Sequence, residues 1–265
     1  MNDVAAAALE VHDPSARARR RNRNWFYFGA ALAMLALVLA GFSSSFYLRG
    51  IVVSRAPAPA PEAYLLVHGS VMTAWYLLFV VQTFLVATWR TAQHRRLGVL
   101  GVVLAVGVVL TGAYVSISFP AHLAELGLPP DQVMGIGLGT AIGNLSMLIW
   151  FSGFVAAAVL LRRRREWHRS LMFWSFFMTL PPAFGDGPNN GARLLGPILP
   201  GEIALPILTA IAWASLLVLD WRMRTRIHPA TLVCPVLVLV SVVTNIAAGV
   251  TFSTPATLTL FLRMG

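Results

Sequence analysis

The chain of 265 residues is 57% hydrophobic and only 11% charged, with a mean hydropathy of +0.73. Soluble domains carry about 25% charged residues, so this composition excludes an ordinary soluble protein and indicates a single membrane-embedded bundle. The net charge of +10 comes from 20 arginines and no lysine, and the arginines are divided among several separate segments. That division argues against a nucleic-acid groove and favours attraction to the anionic headgroups of a lipid bilayer.

Seven apolar segments follow a polar and basic N-terminal tail, residues 1–24. The first runs from Trp25 to about Tyr47, which is too long for a cleaved signal peptide and predicts an uncleaved first span. The others cover about 63–91, 97–118, 132–161, 167–184, 203–221 and 229–251. Because about 20 apolar residues cross a bilayer, the sequence predicts an all-α transmembrane helix bundle of about seven spans over residues 25–252. The short apolar tail, residues 253–265, is expected on the periplasmic side.

The arginines predict the orientation of these spans. The tail and the connections after the second, fourth and sixth segments hold 16 of the 20 arginines. An excess of positive charge marks the cytoplasmic side of a membrane protein. We therefore expect a multi-pass protein of the bacterial inner (plasma) membrane with a cytoplasmic N-terminus.

Each of these three connections also carries a histidine four residues after an arginine, where the next helix begins. The repeats are Arg90 with His94 and then Arg95, Arg164 with His168 and then Arg169, and Arg224 with His228. Helix N-termini and neighbouring arginines both disfavour a protonated imidazole and both attract anions. The pattern predicts sites for an anionic group, either a lipid headgroup phosphate or the carboxylates of a cofactor, or simple helix caps that anchor headgroups.

The histidines also raise a redox alternative, in which His94 and His168 hold a b-type haem or a quinone near the inner face. Arginines beside them would then pair with the haem propionates. A haem held by both His68 and His94 is not supported, because 26 residues of one helix extend about 39 Å, which exceeds the ~30 Å hydrocarbon core and puts the two histidines at opposite borders.

A second group of polar residues lies toward the outer side. His68 falls near the outer end of the second segment, and Asp186, Asn190, Arg193 and Glu202 follow the fifth. An outer polar pocket is one interpretation, and a packing hydrogen bond of His68 beside an ordinary Asn-Gly turn is the other. If His68 and Asn144 instead line a water-filled centre, the protein is a small-molecule transporter. A further alternative is an accessory protein that binds other membrane subunits.

Three stretches of the sequence are similar to uncharacterised bacterial polytopic integral membrane proteins. They are His68-Gly69 to Gly98, with Ala74-Trp75, Leu78-Phe79, Gln82, Leu85-Val86, Arg90 and His94-Arg95-Arg96-Leu97-Gly98 between; Trp167-His168-Arg169-Ser170-Leu171-Met172; and Arg226-Ile227-His228-Pro229-Ala230. This resemblance covers most of the second to seventh segments. It implies a helical membrane protein and no particular activity.

Overall fold

The computed structural model describes residues 14–49, 51, 62–184, 201–224 and 227–264. These residues form helices joined by short turns. In chain order the α-helices are α1 (Pro14–Gly41), α2 (Ala63–Ala87), α3 (Thr91–Glu125), α4 (Pro130–Leu160), α5 (Arg165–Phe177), α6 (Gly201–Arg224), α7 (Pro229–Phe252) and α8 (Pro255–Met264).

Six of the described helices, α1 to α4 with α6 and α7, are long and apolar enough to cross a membrane. Two short π-helical segments interrupt the regular α-helical geometry. One, Ser43–Tyr47, follows α1, and the other, Val133–Leu138, lies within α4. Much of the apolar surface of these helices is exposed, as in Val99, Ile149 and Val250. The all-helical character and the apolar outer surface agree with a multi-pass membrane protein.

Helix α5 is shorter than the sequence predicts. It has only 13 residues and ends at Phe177, and a 3-10 turn, Pro181–Phe184, follows it. Proline disfavours helical geometry in the residue before it and supplies no N–H, so Pro181 and Pro182 prevent the helix from continuing. At about 1.5 Å per residue, α5 alone extends only about 20 Å.

Contacts with α1 show how far α5 and the following 3-10 turn extend along the bundle together. Near the start of α5, Glu166 Oε1 lies 3.4 Å from Nη1 of Arg23, which is in the first half of α1. Near the end, Gly41 packs so closely on Ala183 that an added Cβ would lie 2.7 Å from the Ala183 Cβ. The 18 residues between Arg23 and Gly41 correspond to about 27 Å of helix.

Neighbouring helices alternate in direction, so their connections fall at two opposite ends. Asn24 of α1 donates to the Val86 carbonyl at the end of α2, whereas Tyr47 meets Thr73 nearer the start of α2. Helix α3 packs against α2, since a Cβ added to Gly107 would lie 3.3 Å from a methyl carbon of Val71. We call the end with the α2–α3, α4–α5 and α6–α7 connections the basic end, and the other the opposite end.

Aromatic side chains of α2, α4 and α5 form the buried centre. The Phe176 ring stacks between Trp75 at 4.3 Å and Phe79 at 3.9 Å, and Phe151 meets Trp75 edge-on at 5.5 Å. Trp75 and Phe176 are at most 2% exposed. The described centre is therefore packed with rings rather than open to water.

The C-terminal tail forms helix α8 rather than a simple extension. Its Phe261 is buried and packs with Leu138, Ala141 and Ile142 of α4. With ten residues, α8 covers only about 15 Å and is too short to cross a bilayer. It lies against α3 and α4 at the opposite end.

Candidate functional site at the basic end

The three Arg-His connections meet at the basic end of the bundle. The ring centres of His94 and His168 are 6.3 Å apart, with an angle of 80° between the ring planes. The ring of Trp167 lies 6.2 Å from that of His228. Residues from three separate connections, distant in the sequence, thus form one continuous surface.

The two facing imidazoles differ in their recorded hydrogen bonds. His168 Nδ1 donates to the Ala158 carbonyl at 2.9 Å, which leaves Nε2 as the nitrogen that carries a lone pair in the neutral ring. The Nδ1 of His94 is buried and has no hydrogen-bond partner among the described residues. The pair therefore offers two nitrogens that the described residues leave uncommitted. Because His94 lies in the first turn of α3, it is not on the same helix as His68.

His228 has a different role, although its sequence context is similar. It is the N-cap of α7, and its Nδ1 accepts a hydrogen bond from the Ala230 N–H at 3.1 Å. Its own N–H donates to Asp220 Oδ2 at 2.9 Å, and the Thr231 hydroxyl donates to the same oxygen at 2.6 Å. His228 is thus fixed by the α6–α7 junction, which favours the capping interpretation for this histidine.

Asp220 is a buried carboxylate that the sequence interpretation missed. It is only 6% exposed and lies near the end of α6. A buried charge is retained when it is hydrogen-bonded, and both contacts above are charge-assisted. An acid at the end of an apolar segment, shortly before a Thr-containing helix start, was the available signal.

A second carboxylate, Glu166, joins two arginines. Its Oε1 lies 3.4 Å from Arg23 Nη1, and its Oε2 accepts from Arg169 Nη1 at 3.2 Å. The Arg169 guanidinium also lies 5.2 Å from the centre of the Tyr27 ring. These contacts connect α1 to α5, and they assign Arg169 a packing role in addition to its charge.

The other arginines predicted for this site remain at the surface. Arg90, Arg95 and Arg164 are exposed at the basic end. Arg224 ends α6, and its side chain lies outside the described part of the chain. Exposed guanidinium groups on this surface are accessible to phosphate or carboxylate groups of a ligand or lipid.

The predicted outer polar pocket is only partly within the described residues. His68 Nδ1 lies 3.0 Å from Thr111 Oγ1, so this imidazole forms a hydrogen bond between α2 and α3. Asp186, Asn190 and Arg193 lie outside the described residues, as does the side chain of Glu202.

The described surface includes two grooves that contain no predicted site residue. One, of about 520 Å³, runs between α4 and α7 beside Gly139 and Asn245. The other, of about 260 Å³, lies between Tyr64 and Tyr114. Together with the aromatic centre, these surface grooves lend no support to a transport path lined by His68 and Asn144.

No protein-family model, curated protein or solved structure matches this chain.

Proposed function

We propose that the protein is a multi-pass protein of the bacterial inner membrane with seven crossings and a cytoplasmic N-terminus. The contacts of α1 with Glu166 and Ala183 support the seventh crossing, because they extend α5 and its 3-10 turn over about 27 Å. The location of 16 of the 20 arginines supports the orientation.

The basic end, in this proposal, binds the phosphate groups of anionic lipids. The observation that carries it is the convergence of three arginine-rich connections on one surface, with His94 beside His168 and Trp167 beside His228. The two acids described there, Glu166 and Asp220, already accept hydrogen bonds from protein groups. Each arginine near an anionic membrane surface contributes about 1 kcal/mol to lipid attraction.

Lipid retention by the detergent-purified protein tests this function. Native mass spectrometry would compare phosphatidylglycerol, cardiolipin and phosphatidylcholine at equal concentration, with inorganic phosphate as a competitor. The double variant Arg95→Gln, Arg164→Gln removes two exposed charges, and about 2 kcal/mol corresponds to roughly a 30-fold weaker preference for anionic lipid. Arg263→Gln is the control, because it removes one arginine charge from the end of α8, away from the basic end.

We expect the double variant to lose the preference for anionic lipids and the Arg263 variant to keep it. Competition by inorganic phosphate alone would identify a phosphate site that does not require the lipid chains. Equal anionic-lipid preference in the wild type and the double variant would refute headgroup binding at this surface.

One observation favours a second function, a redox protein with a haem at His94 and His168. Two imidazoles that ligate one metal ion from opposite sides place their ring centres about 6 Å apart, since each metal–nitrogen bond is about 2.0–2.1 Å long. The observed separation is 6.3 Å, and each ring has one uncommitted nitrogen. A quinone bound beside the same two rings is the related alternative.

The visible spectrum of the purified protein tests the haem version. A Soret band that disappears in His94→Ala and in His168→Ala, but persists in His68→Ala, would support it. The His68 variant is the control because His68 pairs with Thr111 on a different part of the bundle. A colourless protein, purified from haem-replete cells, would eliminate the haem.

A further inference from the structure

A cluster of metal-ligating side chains lies at the opposite end, far from the arginine surface. Glu62 precedes the first residue of α2, and His122 and Glu125 are one turn apart at the end of α3. His122 Nδ1 lies 2.9 Å from Glu62 Oε1. One ligand atom from each of the three residues lies within 4.8 Å of the other two.

Two polar groups of these residues have no hydrogen-bond partner among the described residues. The His122 side chain is only 13% exposed, and its Nε2 is buried with no hydrogen-bond partner among the described residues. The Glu125 carboxylate also has no hydrogen-bond partner among the residues that the structure describes.

The local charge favours a cation. The two carboxylates bring two negative charges when ionised, and the C-terminus of α3 adds the negative end of a helix dipole. Glu62 and Glu125 are both exposed, so an ion can reach them from the solvent. The arginine-rich connections that would repel it lie at the other end of the bundle.

We propose that Glu62, His122 and Glu125 form a binding site for a divalent transition-metal ion such as Zn²⁺ or Mn²⁺. One imidazole nitrogen and two carboxylate oxygens provide three protein ligands, and water completes the coordination shell. Ligand atoms of a tetrahedral zinc site are roughly 3.3 Å apart. The 2.9 Å between His122 Nδ1 and Glu62 Oε1 is close to this value, and all three ligand atoms lie within 4.8 Å of one another. The bound ion would tie the start of α2 to the end of α3.

Isothermal titration of the chelator-treated protein with ZnCl₂, MnCl₂ and MgCl₂ tests the site. The titration uses the full chain with His94→Ala and His168→Ala, so that the basic end contributes no zinc ligand. We expect one zinc ion per chain and at least 10-fold weaker binding in Glu125→Gln and His122→Gln. Asp131→Asn is the matched control, because Asp131 is an acid at the start of α4 outside the cluster.

Absence of zinc binding to the folded protein, or equal affinity in the Glu125 variant and the wild type, would overturn the proposal. If His122→Gln fails to fold, the exposed Glu125 remains decisive, and the visible absorption of added Co²⁺ reports imidazole and carboxylate ligands independently. Preferential binding of Mg²⁺ would also contradict a site that uses a histidine. Lipid retention at the basic end is measured separately and does not depend on this result.

Discussion

The carboxylate of Asp220 is predicted to be a major stabilising contact between α6 and α7. Asp220→Ala removes the acceptor for the His228 N–H and for the Thr231 hydroxyl, at 2.9 and 2.6 Å. A hydrogen bond to a charged group contributes about 1.5–3 kcal/mol, and a buried donor left without an acceptor costs about 1–3 kcal/mol. The two estimates describe partly the same contacts, so they cannot simply be added for both hydrogen bonds. We therefore expect Asp220→Ala to lower the free energy of unfolding by about 3–5 kcal/mol.

Reversible unfolding in mixed detergent micelles, followed by circular dichroism, measures this loss. Asp220→Asn keeps an oxygen acceptor without the charge, and we expect it to lose about half as much stability. Thr231→Val removes only one donor and should cost about 1–2 kcal/mol. In Asp220→Ala, Thr231→Val, the two losses should be less than additive, because the pair interacts directly. A loss below 1 kcal/mol for Asp220→Ala, or strict additivity, would refute the role assigned to this carboxylate.

The remaining predictions concern packing and a buried hydroxyl. Gly41→Ala would place a Cβ 2.6 Å from a backbone oxygen of the 3-10 turn, so we expect about 1–3 kcal/mol of destabilisation in the same unfolding assay. The control is Gly29→Ala, whose added Cβ would have no atom within 4 Å and should leave stability unchanged or raise it. Equal destabilisation by the two substitutions would contradict the close approach at Gly41. Tyr76→Phe removes a buried hydroxyl that donates to an α5 carbonyl at 2.9 Å and lies 2.7 Å from Thr179 Oγ1. We expect it to cost about 1–2 kcal/mol, while Tyr114→Phe, which changes a half-exposed side chain, should lie within about 0.5 kcal/mol of the wild type.

Hydropathy was sufficient to predict the helical architecture, but it could not predict where α5 ends. The apolar character continues through Phe184, so the sequence predicts one helix to that residue. In the structure, Pro181 follows a break in the helix, and the hydroxyl of Tyr76 satisfies the Phe176 carbonyl from a position 100 residues earlier. A partner that distant in the chain cannot be read from local periodicity, whereas the Pro-Pro pair was a visible signal of a break.

The Arg-His spacing predicted the histidine positions at the helix starts, yet not their different contacts. His94 and His168 lie in the first turns of their helices, and His228 is an N-cap. Which residues face one another depends on how α3, α5 and α7 pack, and these contacts join residues that are far apart in the sequence. Asp220 was missed for the same reason, since its partners belong to the next helix.

These contacts show that a sequence repeat at the basic end does not imply three equivalent ligands. The His228 ring is held at the α6–α7 junction by Ala230, while His168 is bound to a carbonyl of the preceding helix. Only His94 and His168 face each other with an uncommitted nitrogen on each ring. A ligand held by the imidazoles would therefore use two histidines, whereas a lipid phosphate would be held by the exposed arginines around them. The two candidate functions consequently depend on different atoms of the same surface, and substitutions of the arginines and of the histidines can separate them.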